Sequence, residues 1–407
     1  MPKKKLNISG FRFSGISAGI KQGKKILDLA LIHSEVPAVV AGAFTTSKVQ
    51  AAPVQVSRKN IRSGLCSAII VNSGNANACT GEQGLQDARV MVSETARLLK
   101  VPEGQVLVCS TGKIGVKLPI DKISKKIPEA VKGLASNRFL QSAQAILTTD
   151  DSVKVASAEG KIQGVPYRIA GFAKGAGMIE PHMALEKEGL HATMLAFIVT
   201  DALVRRSVLG VLVNNCVEET FNRVTVDGDM STNDSAIVMA NGLAGNKPFD
   251  LKTPAFREFA ENLFQVMESL AKQMVLDGEG ATKCVKIEVR GAKNDEEARR
   301  LAYTIGNSLL VKTSFFGEDP NWGRILGAAG RAGATLDPDR VDIYYDRVCV
   351  AQRGISTGYP KEREAKKVMK RQEFTVALDC HLGHGSFEIY ASDLTLDYVK
   401  LNSCYRT

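Results

Sequence analysis

Apolar positions along this chain follow two rhythms. Short runs with the character of strands occur at Ala38 to Phe44, Ser67 to Val71, Val106 to Cys109 and Met194 to Val199, and Val285, Ile287 and Val289 alternate with polar neighbours. Val208 to Val213 reads as a further strand, and Ala145 to Asp151 as a strand-like start closing on two threonines and two aspartates. The other rhythm is helical. Val90, Met91, Ala96, Leu98 and Leu99 are spaced by polar residues over Asp87 to Leu99, and Phe256, Phe259, Leu263, Met267, Leu270 and Met274 recur at intervals of 3 or 4 behind Thr253 as N-cap and Pro254 in the first turn. Asn294 followed by Asp295 and Glu296 predicts another helix start. From Val341 the pattern is mostly strand-like, interrupted by a charged segment, Lys361 to Arg371. Strands and helices mix in both halves, so the fold class is α/β without strict alternation.

Polar, turn-rich stretches separate these runs: Asn72 to Gly81 (NSGNANACTG), Thr225 to Asp234 (TVDGDMSTND), Asp277 to Gly280, and Phe316 to Arg324 with the single tryptophan. At 407 residues the chain exceeds what one core serves, and two substantial lobes are expected. Lys and Arg number 53 against 43 Asp and Glu, a net charge of +10, but the one dense basic run is Lys3 to Lys5. No basic stripe is interleaved with aromatics, which argues against nucleic-acid binding and leaves attraction of anionic small substrates as the account of the charge. The eight cysteines are scattered without a CxxC pair, as in a reducing compartment. Cys380, His381 and His384 lack a fourth ligand nearby, so no metal is expected. No apolar run reaches membrane-spanning length and the first residues carry no signal-like apolar core, so a cytoplasmic location without membrane contact is expected.

The candidate chemistry centres on Lys174 to Ala202, where Gly175 and Gly177 precede a strand opening at Thr193. Taken alone, Thr193 is an ordinary first residue of a strand. Were the Ala192-Thr193 bond broken, its hydroxyl would be a nucleophile beside its own free α-amine, a base of pKa roughly 7.7 to 8.0. The strand Val106 to Cys109 runs into Ser110-Thr111-Gly112-Lys113-Ile114-Gly115, which alone is a tight turn and could also offer donors to an oxyanion. Alone, too, Lys174 is a solvated lysine and Glu279 an exposed turn acid between two glycines.

KGAGMI and ATMLAFIVTDA, with NSGNANACTG, STGKIG, AILTTDD, DGDMSTND and DGEGATK in chain order, resemble the self-cleaving ornithine acetyltransferases, also called glutamate N-acetyltransferases, of arginine biosynthesis. The resemblance covers nearly the whole chain. It implies cleavage between Ala192 and Thr193, giving an alpha fragment, 1–192, with the oxyanion loop and the self-cleavage segment, and a beta fragment, 193–407, that begins at the nucleophile. It assigns the oxyanion hole to Thr111 and Gly112, and substrate contacts to Thr148 (preferred over Thr149), Lys174, Thr193, Glu279, Asn402 and Thr407. It further implies ping-pong acetyl transfer from N-acetylornithine to glutamate through an acetyl-threonine intermediate, without a cofactor. Two copies of each fragment would form a heterotetramer, with sheets layered against helices as in the amino-terminal-nucleophile architecture. Some members also use acetyl-CoA, a donor these residues leave open. Two departures stand out: Asp151 occupies a position where the family usually has a further threonine, and an extra stretch, ALEKEGLH or LEKEGLHA, precedes Thr193. Two other readings remain: a self-cleaving aminopeptidase or amidase in which water replaces glutamate, and an uncleaved, non-enzymatic binding protein.

Overall fold

The computed structural model describes residues 6–23, 25–184 and 194–404. They form two compact units, the first comprising described residues up to Asn222 together with Asp229–Met274, the second Arg223–Gly228 and those from Val275 onward. The expected fragment boundary at Thr193 falls within the sequence of the first unit, because packing units and cleavage products are defined by different events.

In the first unit the chain runs β1 (Phe11–Ile16), β2 (Leu29–Thr45), α1 (Ala52–Asn60), β3 (Leu65–Asn75), α2 (Gly81–Leu99), β4 (Val106–Lys113), α3 (Ile120–Lys132), α4 (Phe139–Ala145), β5 (Lys154–Ile162), β6 (Val165–Lys174), β7 (Met183–Ala184), β8 (Leu195–Thr200) and α5 (Arg206–Glu219). After β9 (Val224–Thr225), which belongs to the second unit, it returns as β10 (Ser235–Ala240) and α6 (Pro254–Leu276). The sheet order is β4-β3-β2-β10-β8-β6-β5, with β1 and β7 also paired to β2. Neighbours β3 and β4, and β8 and β10, are parallel; β2 meets β3 and β10 antiparallel.

Residues of these strands alternate between two buried faces, as the period of two requires. Leu29, Leu31, Ile70 and Val108 pack with Met91 and Val92 of α2 and with Ile123 and Ile127 of α3. Ala30, Ile32, Ile69 and Val71 face the other way, into a cluster with Phe139, Phe172 and Phe197. The apolar runs of the sequence are unbroken for this reason: both faces are covered. α6 forms as the periodicity predicts. Thr253 Oγ1 accepts the Phe256 amide at 3.2 Å, and Phe259, Leu263, Met267, Leu270 and Met274 are buried.

Three expectations are corrected. Val208 to Val213 is helix, not strand: Val208, Leu209, Leu212, Val213, Cys216 and Val217 are the buried positions of α5, and Cys216 and Val217 extend a helical spacing that the short run alone did not reveal. Ala145 is the last residue of α4, so Ala145 to Asp151 is a helix end followed by a turn. Phe316 to Arg324 is turn and loop only over 317–321: Phe316 ends one helix of the second unit and Trp322 opens the next.

The second unit holds β9, β11 (Cys284–Ala292), α7 (Asp295–Gly306), α8 (Leu309–Phe316), α9 (Trp322–Gly330), β12 (Asp342–Tyr345), β13 (Val348–Gln352), β14 (Ile355–Ser356), α10 (Tyr359–Met369), β15 (Glu373–Asp379), β16 (Gly385–Ser392) and α11 (Leu396–Cys404). Its sheet order is β14-β13-β12-β15-β11-β16-β9. Val285, Ile287 and Val289 pack with Ala298, Leu301 and Ile305 of α7, whose N-cap is Asn294: its side chain accepts the Glu297 amide at 2.9 Å. The expected α/β class, with helices layered on sheets, is what both units contain. Among the described residues no helix is long and apolar enough to cross a membrane.

Candidate active site

Near the ends of β4 and β6 stand two glycines whose backbone no ordinary side chain would adopt: Gly112, the last residue but one of β4, and Gly175, the residue after β6. Gly112 has φ +129°, and a Cβ there would lie 2.4 Å from the Gly74 carbonyl carbon on β3. Gly175 has φ +152°. The residues just before them, Thr111 and Lys174, are thereby held at strand ends. A third approach comes from the turn after α4, where Ser73 Oγ donates to the Ala145 carbonyl at 2.6 Å and fixes the helix end to β3.

These elements converge on one ammonium group. Lys174 Nζ donates to Thr148 Oγ1 at 2.7 Å and to Thr111 Oγ1 at 3.3 Å, and the lysine is 4% exposed. Each hydroxyl accepts from a cation and keeps its own proton, so each is a polarised donor toward an approaching substrate oxygen. Thr148, rather than Thr149, is thus the threonine joined to the lysine. Thr111 carries a hydroxyl and Gly112 an open backbone, the two features expected of an oxyanion hole.

Behind this centre stands Asp150. Its buried carboxylate accepts the amides of Gly175 at 2.7 Å and Thr148 at 3.0 Å, pairs with Lys154 Nζ at 2.7 Å, and lies 3.7 Å from Lys174 Nζ. Burial by itself would raise its pKa, but the charges of Lys174 and Lys154 and these hydrogen bonds outweigh it and hold the carboxyl well below the ordinary range. Asp150 and Lys154 were not among the sequence candidates. Their spacing of four and the TTDD string were visible, but their burial was not.

The two polar stretches serve as scaffolding, the first being strand as far as Asn75 rather than loop from Asn72. Asn72 Oδ1 accepts Ser110 Oγ at 2.6 Å, and Asn233 Nδ2 donates to the carbonyls of Ala76 and Ser110 at 2.7 and 2.8 Å, so both stretches pin the residue before Thr111. Asp234 follows Asn233 and is fully buried, and among the described residues neither carboxyl oxygen has a well-formed hydrogen bond. Burial pushes its pKa well above the usual range, against a smaller pull from the Ser231 backbone and the Lys174 charge. Ser235 N donates to the Met194 carbonyl at 2.9 Å, which sets this segment beside the start of β8.

In the second unit, Glu279 and Asn402 meet. Asn402 Nδ2 donates to Glu279 Oε2 at 2.8 Å, joining α11 to the turn after α6. Glu279 is 8% exposed rather than an open turn acid. Gly280, with φ +65°, admits the backbone of α11: a Cβ there would lie 2.5 Å from Tyr398 N. Ala192, Thr193 and Thr407, and the extra stretch before Thr193, lie outside the described residues. Among the described residues, no group of three or more His, Cys, Asp and Glu side chains could hold a metal ion.

Comparison with known proteins follows the same lines. The ArgJ family model matches residues 12–407. The arginine biosynthesis bifunctional protein ArgJ of Geobacter sulfurreducens is 50% identical over 402 residues, covering 99% of this chain and 100% of the relative. The protein of the same name from Syntrophotalea carbinolica is 48% identical, with 99% and 100% covered. Among solved structures, the crystal structure of arginine biosynthesis bifunctional protein ArgJ from Bacillus halodurans is 41% identical with a TM-score of 0.50, covering 52% of this chain and 100% of its own.

Proposed function

This chain belongs to the ArgJ family, and on that premise we propose that it is a bifunctional acetyltransferase of arginine biosynthesis that carries acetyl from N-acetylornithine to glutamate on Thr193. The observation that carries the proposal is the pair of threonine hydroxyls, Thr111 and Thr148, held on the Lys174 ammonium at the end of the strand that leads to the self-cleavage segment.

In maturation, Thr193 Oγ attacks the Ala192 carbonyl, the acyl group shifts from nitrogen to oxygen, and water hydrolyses the ester. The products are fragments 1–192 and 193–407. In turnover, the freed α-amine takes the hydroxyl proton while Oγ attacks the acetyl carbonyl of N-acetylornithine, with Thr111 and Gly112 facing the developing oxyanion. The ammonium returns that proton to the departing ornithine amine, leaving an acetyl-threonyl ester. The glutamate amine attacks the ester and regenerates the threonine, a ping-pong sequence. Lys174 and Thr148 receive the substrate carboxylate, and the family resemblance adds Glu279, Asn402 and Thr407 as substrate contacts. No cofactor is needed for these steps.

Two further observations support cleavage. The Bacillus halodurans chain is matched in full yet spans 52% of this one, as a relative divided near its middle would. The fold also tolerates the cut, because β8 and β10 lie between β6 and β2 in one sheet, so the fragments would stay joined by hydrogen-bond ladders after the backbone is severed. Two copies of each fragment would give a heterotetramer, and the reaction suits the cytoplasm. For a second activity, the resemblance offers acetyl-CoA as a donor, a choice the residues themselves leave open.

A denaturing gel with N-terminal sequencing tests maturation: two fragments, the second beginning at Thr193, are expected. One full-length band would favour the uncleaved binding protein. Initial rates with N-acetylornithine and glutamate both varied should give parallel double-reciprocal lines, and acetate release undiminished without glutamate would identify a hydrolase instead. Glutamate acetylation from acetyl-CoA tests the second donor, and sedimentation tests the tetramer.

A further inference from the structure

Next to the Thr148 side of this centre lies a lysine that no motif singles out. The loop between β1 and β2 folds round Asp28, whose Oδ1 accepts the Ala18 amide at 2.5 Å and whose Oδ2 accepts the amides of Ile20 and Lys21 at 2.6 and 3.0 Å. That arrangement fixes the backbone of Lys21. Its side chain then crosses Gly74, where a Cβ would lie 2.8 Å from Lys21 Cγ, so the glycine opens the path. At the far end Nζ donates to the Leu27 carbonyl at 3.1 Å and to the Leu147 carbonyl at 2.5 Å. Leu147 is bonded directly to Thr148, the hydroxyl residue that meets Lys174.

We infer that Lys21 is a positioning residue of the acetyl-transfer site: its ammonium clamps the Leu147-Thr148 peptide to the Asp28 loop, holds the Thr148 hydroxyl in place, and adds positive potential for a carboxylate substrate. The inference rests on the reading of Thr148 and Lys174 as substrate contacts. An exposed lysine would have no need of two carbonyl partners from separate segments. Here the donors are oriented by a half-buried stem and a glycine gap, which is the preorganisation a site requires.

The electrostatics give the clamp a signature. Burial, and next to it the Lys174 charge, lower the Lys21 pKa to about 8, although Asp28 and Asp150 both act to raise it. An ordinary free α-amine has a pKa of roughly 7.7 to 8.0, so loss of this charge falls in the range where such an amine becomes an active base. Activity therefore rises with pH as the amine deprotonates and falls again as Lys21 becomes neutral.

Lys21→Met and Lys21→Arg, made in the full chain, test this with N-acetylornithine and glutamate. Because misplacement of about 1 Å costs on the order of a hundredfold, Lys21→Met should lower kcat/KM by roughly tenfold to a hundredfold and remove the alkaline limb of the pH profile. Lys21→Arg keeps a cation at every accessible pH and should move that limb upward. Thermal melting and the extent of self-cleavage identify a variant that has merely failed to fold. Lys21→Met with unchanged kcat/KM and an unchanged limb overturns the inference. If Lys21→Met does not fold, an unshifted limb in Lys21→Arg overturns it. Wild-type protein that transfers no acetyl overturns the underlying reading instead.

Discussion

Replacing Asp150 by asparagine would remove the charge on which the buried centre is balanced. The side chain of Lys154 is 0% exposed and that of Lys174 5%, so neither ammonium can recover its hydration when the carboxylate is lost. The amide keeps the shape but accepts with one oxygen where the carboxylate used two, for Gly175 and Lys154 on Oδ1 and for Thr148 on Oδ2. Breaking a buried ion pair from one side costs about 3–5 kcal/mol, because the remaining charge is left unpaired. At roughly 2 °C per kcal/mol for a unit of this size, melting of the first unit should fall by about 6–10 °C. The proper control removes the stranded cation as well. Asp150→Asn with Lys154→Met should recover part of the loss, giving a non-additive cycle. Differential scanning calorimetry of the single and double variants reads both quantities. An Asp150→Asn protein that melts with the wild type, or a double variant no more stable than the single, would refute the claim that this carboxylate compensates buried ammonium groups.

Asp150 and Asp234 should affect acid stability in opposite senses. The Asp150 pKa is depressed by folding, so its contribution is present above its unfolded pKa of about 3.9 and is lost as the pH falls below it. The Asp234 pKa is raised, so its contribution is full below about 3.9 and decays as the pH rises toward its folded value; Asp234→Asn should flatten the decline of melting temperature between mildly acid and neutral pH, and an unchanged slope would count against a protonated Asp234. Gly112→Ala meets both a left-handed φ and the β3 backbone, and a loss of roughly 2–5 kcal/mol together with transfer activity is expected from calorimetry and assay; a variant melting like the wild type would contradict the close approach. Thr193→Ala should yield a single band of full length on a denaturing gel and no acetyl transfer, and fragments in that variant would assign the cut elsewhere.

Much of this architecture was legible in the chain because period carries it. The helix from Pro254 and the alternation of Val285, Ile287 and Val289 followed from spacing alone, and the caps at Thr253 and Asn294 from the residue types that accept backbone amides. Val208 to Val213 misled because so short an apolar run fits a strand or a helix turn equally well, and the arbiter, Cys216 and Val217, lay beyond it. For the site, it was the resemblance of its motifs to a family, and not the residue strings read alone, that nominated Thr111, Gly112, Thr148, Lys174, Thr193, Glu279, Asn402 and Thr407. The strings did not reveal that Asp150 lies under Lys174, that Lys21 reaches Leu147, or that Asp234 is fully buried. A string of letters determines local period, capping and the chemistry on offer, since each depends on near neighbours. Whether a carboxylate or an ammonium is buried, and which distant charge or carbonyl it meets there, depends on packing between segments far apart in the chain, and in this protein only the folded sheet decides it.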